Sequence, residues 1–120
     1  MQRLWASFGY AFAGLRYLFK TQPNARIQAG ITVAVLVVGM WLQLAAQDWA
    51  VLAVAAGLVF VAEGFNTALE AVVDLVSPQS QPLAQIAKDV SAGAVTLAAG
   101  SAVVVGLLIM GPPLHARLFG

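Results

Sequence analysis

The sequence predicts an all-α membrane protein, with an amphipathic helix lying in the interface at the N-terminus followed by three transmembrane helices. Three observations carry this. Hydrophobic residues make up 61% of the chain and charged residues 9%, where an average soluble domain carries roughly 25% charged residues. A water-soluble protein of this size has too much surface for its volume to hide that much apolar area. The charges are also segregated: nothing ionised lies between Arg26 and Asp48, and only His115 lies between Asp89 and Arg117. Apolar stretches of about 20 residues are what a helix needs to cross a bilayer.

We read the chain as one membrane-embedded unit over residues 1–120, with the surface helix in 1–22 and spans at 26–46, 49–76 and 83–110. In the first segment Leu4, Phe8, Phe12, Leu15 and Phe19 share a narrow arc at ~100° per residue. Arg3, Ser7, Tyr10, Arg16, Tyr17 and Lys20 occupy the remainder. An aromatic stripe opposite basic residues suits a helix in the headgroup plane. Pro23 disfavours the α conformation at Gln22 and breaks this helix.

The second segment runs through AGITVAVLVVGMWLQLAA, and Trp41 and Trp49 fit either an aromatic belt at the interface or core packing. The third segment ends at the polar, proline-bearing turn SPQSQP (Ser77 to Pro82), and the fourth is expected to stop near Met110, before Pro112 and Pro113. Arg3, Arg16, Lys20, Arg26 and Lys88 fall on one side, and Arg117 alone on the other. The positive-inside rule therefore puts the N-terminus in the cytoplasm.

Several function classes drop out. The stretch from Met1 to Lys20 lacks the pattern of a cleavable signal peptide. With no cysteine, disulfides, thiolate metal sites and cysteine nucleophiles are excluded. The six basic residues are too scattered for a nucleic-acid footprint, and no P-loop or His-Glu-x-x-His motif occurs.

The anomaly lies in the third segment. On a helix, Glu63, Asn66, Thr67, Glu70 and Asp74 cluster within about 100° of arc. Glu70 and Asp74, four residues apart, repel each other. Burying one uncompensated charge costs several kcal/mol or forces protonation, so a metal ion, a basic partner or a solvated crevice must offset the acids. Asp74 fits a snorkelling helix end as well as it fits a site. Glu63 does not, because about 20 Å of helix separates it from the turn at Ser77. Lys88 is either a phosphate-binding cation or a topology-setting charge paired with Asp89. Glu63, Glu70, Lys88 and Asp89 together contain a carboxylate base, a metal ligand and a cation, the parts of a phosphoryl-transfer site.

AEGFNTALEAVVDLVSP (Ala62 to Pro78) and PLAQIAKDVSAGAV (Pro82 to Val95) resemble the signature of the prokaryotic diacylglycerol kinase family, small membrane lipid kinases that include the undecaprenol kinases. The likeness extends through YAFAGLRYLFKTQPNARIQ (Tyr10 to Gln28), and the second block looks closer to the undecaprenol kinase branch. The resemblance implies a homotrimer with shared sites in the bacterial inner membrane. It implies transfer of the ATP γ-phosphate, with Mg²⁺, to the hydroxyl of undecaprenol or diacylglycerol. It marks Glu63 as general base, Asn66 as its motif companion, and Glu70 as a Mg²⁺ ligand. Lys88 and Asp89 match nucleotide contacts, and Arg3 and Tyr10 match residues near the phosphates and the lipid headgroup. Gln22 departs, standing where the family usually has a second metal-binding glutamate; it keeps a carbonyl oxygen but no charge. Gln28 stands where some members have an acid. Two other readings remain at this stage: a small oligomeric proton-coupled transporter that uses Glu63, and a non-catalytic member of the family.

Overall fold

The computed structural model describes residues 1–120 as four helices: α1 (Gln2–Thr21), α2 (Pro23–Leu42), α3 (Ala46–Val76) and α4 (Pro82–Phe119). The last three are long and apolar enough to cross a membrane. The all-α architecture with three spans is as the sequence predicts. The helix ends differ, and each difference has a cause.

Only Gln22 separates α1 from α2, rather than a break from Thr21 to Asn24. Gln22 is extended (φ −108°, ψ 107°), as a residue before proline must be. Pro23 then opens α2 at its first position, where its missing N–H would have been unpaired anyway. The corner is closed by Arg26, whose guanidinium donates to the carbonyls of Phe19 (3.2 Å) and Lys20 (3.0 Å). Those are orphan acceptors at the end of α1, and a cation there also suits the helix dipole.

At its far end α2 stops at Leu42 instead of running to Ala46. Gln43 turns left-handed (φ 57°, ψ 50°). Its N–H reaches Met40 O at 3.2 Å, and the N–H of Leu44 reaches Gly39 O at 3.3 Å. That pair of bonds is a Schellman end, built here on glutamine, without the glycine that normally announces it. Helix α3 accordingly starts at Ala46, three residues (about 4.5 Å) ahead of the expected Trp49.

The prolines near the C-terminus do not stop α4. It continues through Pro112 and Pro113 to Phe119. Proline φ is compatible with a helix; each proline costs its donor and crowds the carbonyl four residues back, but bonding resumes beyond the pair, with Gly120 N–H on Ala116 O at 3.0 Å. This last stretch brings the Arg117 guanidinium over the Trp41 ring, 5.2 Å from its centroid, a cation–π contact that ties the ends of α2 and α4 together.

The molecule measures 58 × 43 × 21 Å, and its thin dimension is about two helix diameters. Helices α3 and α4 form the main packing pair. Only nine of the 120 residues are buried, and α4 contributes none of them. The apolar core is limited to Leu18, Ala25, Leu42, Leu52 and Val59. Gly39 allows the α2–α3 hairpin to close, because a Cβ there would meet the Trp49 ring at 2.5 Å (Cη2) and 2.9 Å (Cζ2). Trp49 is thus half-buried against α2, whereas Trp41 stays 47% exposed.

Gly39→Ala should lower the unfolding free energy in detergent micelles. The helix-propensity gain of about 1 kcal/mol is outweighed by overpacking of about 1–3 kcal/mol. In a Trp49→Leu background the same substitution should become neutral or stabilising. A double-mutant cycle read by thermal melting checks the change of sign.

Candidate active site

Glu63 is the largest fully buried side chain in the protein, only 1% exposed. It projects from α3 one turn after Val59, on the face that packs inward, and Asn66 and Thr67 are buried just beyond it. Thr67 is neutralised locally, its hydroxyl donating to Glu63 O at 2.9 Å. The Glu63 carboxyl is not: Oε2 has no hydrogen-bond partner, and neither has Asn66 Oδ1. Asn66 directs its amide Nδ2 toward Glu70 Oε1 at 3.5 Å, a long contact that orients Glu70 without neutralising it.

A third orphan stands across from them. Gln28 on α2 places its side-chain amide against the Glu63 carboxyl, while its own Oε1 is buried and unpaired. Sequence reasoning noted Gln28 only as a departure from an acid. Its value becomes visible once α2 folds back on α3, and the sole signal in the chain was a polar side chain inside an apolar span.

The Phe19 and Phe60 rings meet at 5.8 Å, so the α1–α2 corner lies within a turn of Glu63 along α3. Helix α2, with 20 residues, is about 30 Å long, close to the hydrocarbon thickness. Helix α3, with 31 residues, is about 46 Å long and runs well past that corner. Glu63 therefore sits near one boundary of the apolar slab, and Glu70, Asp74, Lys88 and Asp89 lie beyond it.

Lys88 does not pair with Asp89. Its ammonium meets Asp74 Oδ1 at 2.6 Å, across from α4 to α3, with side chains 34% and 65% exposed. Asp89 instead accepts from Gln85 Nε2 at 2.9 Å. The alternative that paired Lys88 with Asp89 is not formed, because successive residues on a helix point about 100° apart and Lys88 faces Asp74 on α3. The pair offsets the like-charge repulsion between Glu70 and Asp74. Exposed pairs of this kind add little stability.

The remaining sequence candidates are less concentrated. Arg3 and Tyr10 lie in the first half of α1, exposed; neither side chain has an ion-pair or hydrogen-bond partner on α3 or α4. Gln22 sits at the corner, donating to Thr21 Oγ1 at 3.3 Å. No three His, Asp or Glu side chains converge as a metal-binding group. Glu70, half-buried and met by the Asn66 amide, carries carboxylate oxygens of the hard type that could hold Mg²⁺.

Behind Glu63 an open groove of about 380 Å³ runs between α2, α3 and α4, lined by Gln28 and Thr32 at its polar end and otherwise mostly by apolar residues, among them Val35, Ala56, Ala102 and Gly106.

The class is an all-helical multi-pass membrane protein with a buried carboxyl, free of any ion pair, near a slab boundary. Residues 9–110 match the family model for prokaryotic diacylglycerol kinase. A diacylglycerol kinase of Synechocystis sp. is 52% identical over 112 residues, 92% of this chain and 64% of that protein. Undecaprenol kinase of Bacillus subtilis is 36% identical over 114 residues, covering 95% of this chain and 93% of its own length. Diacylglycerol kinase of Escherichia coli is 29% identical over 108 residues, 90% and 88% of the two chains. The chain belongs to the prokaryotic diacylglycerol kinase family, although it spans just under two thirds of the Synechocystis relative.

Replacing Glu63 with methionine and Gln28 with leucine together should raise the unfolding free energy by about 1–3 kcal/mol, the typical cost of an unsatisfied buried polar group, because neither an orphan acceptor nor a stranded amide donor then remains. Denaturation of the detergent-solubilised protein measures it, and a loss of stability would mean that these two side chains stabilise the fold.

Proposed function

We propose that this protein is a lipid kinase that transfers the γ-phosphate of ATP to the hydroxyl of a membrane lipid alcohol, at the cytoplasmic face of the bacterial inner membrane. The observation that carries the reading is Glu63, buried with its Oε2 unpaired and no cation beside it, near the slab boundary in a chain of this family. The N-terminus is cytoplasmic, by the positive-inside argument.

The lipid hydroxyl arrives from the apolar side, and Glu63 takes its proton as the oxygen attacks the γ-phosphorus. The bond between that phosphorus and the β,γ-bridging oxygen breaks, and ADP leaves with the electron pair. Little covalent work falls to the protein, so positioning and charge stabilisation dominate. Asn66 steadies Glu70 through its amide. Glu70 would hold Mg²⁺, with Gln22 a weak second ligand, and the bound ion would neutralise phosphate charge. Lys88 and Asp89 hold the nucleotide at the start of α4, and Arg3 and Tyr10 act at the phosphates and the lipid headgroup. Since one chain leaves Arg3 and Tyr10 apart from the acids, we assign their role to a neighbouring subunit in a homotrimer.

The names of the relatives divide between diacylglycerol and undecaprenol, so each is an acceptor to test. A transporter would use Glu63 but has no need of the acids and lysine gathered beyond the boundary. Gln22 is the feature that favours a non-catalytic member.

Purified protein in mixed micelles with Mg²⁺ and γ-labelled ATP should label one of the two lipids, and Glu63→Gln should lower labelling at least ~100-fold, the general-base contribution, while keeping its oligomeric size. Normal turnover by that variant removes Glu63 from the base role. Gln22→Glu should lower the Mg²⁺ concentration needed for half-maximal rate, read from a Mg²⁺ titration.

A further inference from the structure

One cation lies at the far end of the molecule from the acidic face of α3. Helix α2 has 20 residues and spans about 30 Å, the thickness of the hydrocarbon, so Trp41 in its last turn marks the boundary opposite Glu63. Arg117 reaches that level because α4 continues through Pro112 and Pro113. Its guanidinium lies over the Trp41 ring, 5.2 Å from the centroid. A guanidinium stacked in this way still has N–H donors to give, and nothing in the chain takes them. Arg26 spends its donors on backbone carbonyls, and Lys88 has Asp74 as its ion-pair partner. Arg117 has neither kind of partner, and Asp48, the acid in the first turn of α3, makes no ion pair with it. The dipole of α4 accounts for a cation in its last turn, but not for the aromatic platform that orients it.

We propose that Arg117, held by Trp41, binds the phosphate of a phospholipid in the leaflet away from Glu63. The guanidinium fork matches two phosphate oxygens, and its depth is that of the headgroups, where tryptophan is enriched. Both residues are exposed, Trp41 at 47%, so a lipid meets them from the side. Leu118 follows Arg117 and is also exposed, which sets apolar surface beside the cation. A phosphate carried on acyl chains matches that combination. A free phosphate gains nothing from the apolar surface and gives up water to approach it. A nucleotide acting near Glu70 is not the occupant, since the hydrocarbon slab separates that end from Arg117. The bound lipid braces the ends of α2 and α4, which meet only sparsely elsewhere. The inference does not rest on the kinase reading.

The test uses the full-length protein in nonionic detergent with phosphatidylglycerol that carries a diazirine in its headgroup, photolysed and mapped by mass spectrometry. Label is expected on peptides from the end of α2 and from the last turns of α4. Label on the basic helix α1, at the other boundary, is the internal reference for folding and lipid uptake. Relative to it, label at the Arg117 end should fall about 10-fold in Arg117→Gln, the worth of a hydrogen bond to a charged group. Trp41→Leu should lower it about 2- to 5-fold, the worth of an exposed cation–π contact. Excess inorganic phosphate should leave the label in place. Diacylglycerol bearing the same diazirine should label this end no more strongly in the wild type than in Arg117→Gln.

Equal labelling in Arg117→Gln, or no label at this end because a neighbouring subunit covers it, would overturn the proposal. So would displacement by inorganic phosphate, which assigns the cation to a free anion, or labelling by diacylglycerol as strong as by the phospholipid, which reduces the site to apolar contact. Label unchanged in Trp41→Leu would overturn the role given to the aromatic platform.

Discussion

A carboxyl group held away from both water and any ion pair is the constraint around which this small membrane protein is arranged. Glu63 is 1% exposed, and no base or cation reaches its Oε2. In a bilayer an ionisable group so placed survives only if something makes it worth the desolvation. The surrounding packing keeps it there: Phe19 on Phe60 closes one approach, and Arg26 fastens the α1–α2 corner that carries Phe19. Gln28 supplies an amide where a charged partner would have quenched the carboxyl. The acids beyond the boundary are treated differently, for Asp74 has Lys88 and solvent.

That contrast follows from helix length. Helix α2 is just long enough to cross the slab, and α3 is half as long again. The excess projects the later part of the acidic face out of the hydrocarbon and leaves its first member at the edge. The lipid kinase reading proposed above fits this geometry, because an apolar alcohol and a polyanionic nucleotide would each approach from its own solvent.

Much of this was legible in the sequence because the bilayer permits so few answers. Backbone polar groups in hydrocarbon must be satisfied within the segment, so apolar runs between charged ends read as helices without knowledge of packing. The acidic face was legible too, since Glu63, Asn66, Thr67, Glu70 and Asp74 share an arc on any helix. What failed were features set by contact between helices or by one residue's backbone. Pro23 reads as a breaker and is a helix start; Pro112 and Pro113 read as a stop and lie inside a helix. Gln43 gives no sign of its left-handed turn. The partner of Lys88 and the place of Gln28 depend on how α4 and α2 meet α3, and no spacing along one helix encodes that.

The thinness of the core bears on the site as well. In water, nine buried residues would leave most of the apolar surface exposed and the fold unstable. In lipid the same surface costs little, because hydrocarbon is as apolar as the side chains, and association between helices depends on close packing and polar contacts instead. Helix α4 has no fully buried residue, yet it carries Lys88 and Asp89 at one end and Arg117 at the other. Its alignment comes from its long packing against α3, the main helix pair of the molecule, with the bridge to Asp74 and the Trp41 contact at its two ends. On its other side α4 meets α2 only sparsely, which leaves the open groove between α2, α3 and α4. The sparse packing that would be a defect in a soluble domain thus leaves an open apolar groove whose α3 wall, at Val59 and Phe60, ends within one turn of Glu63.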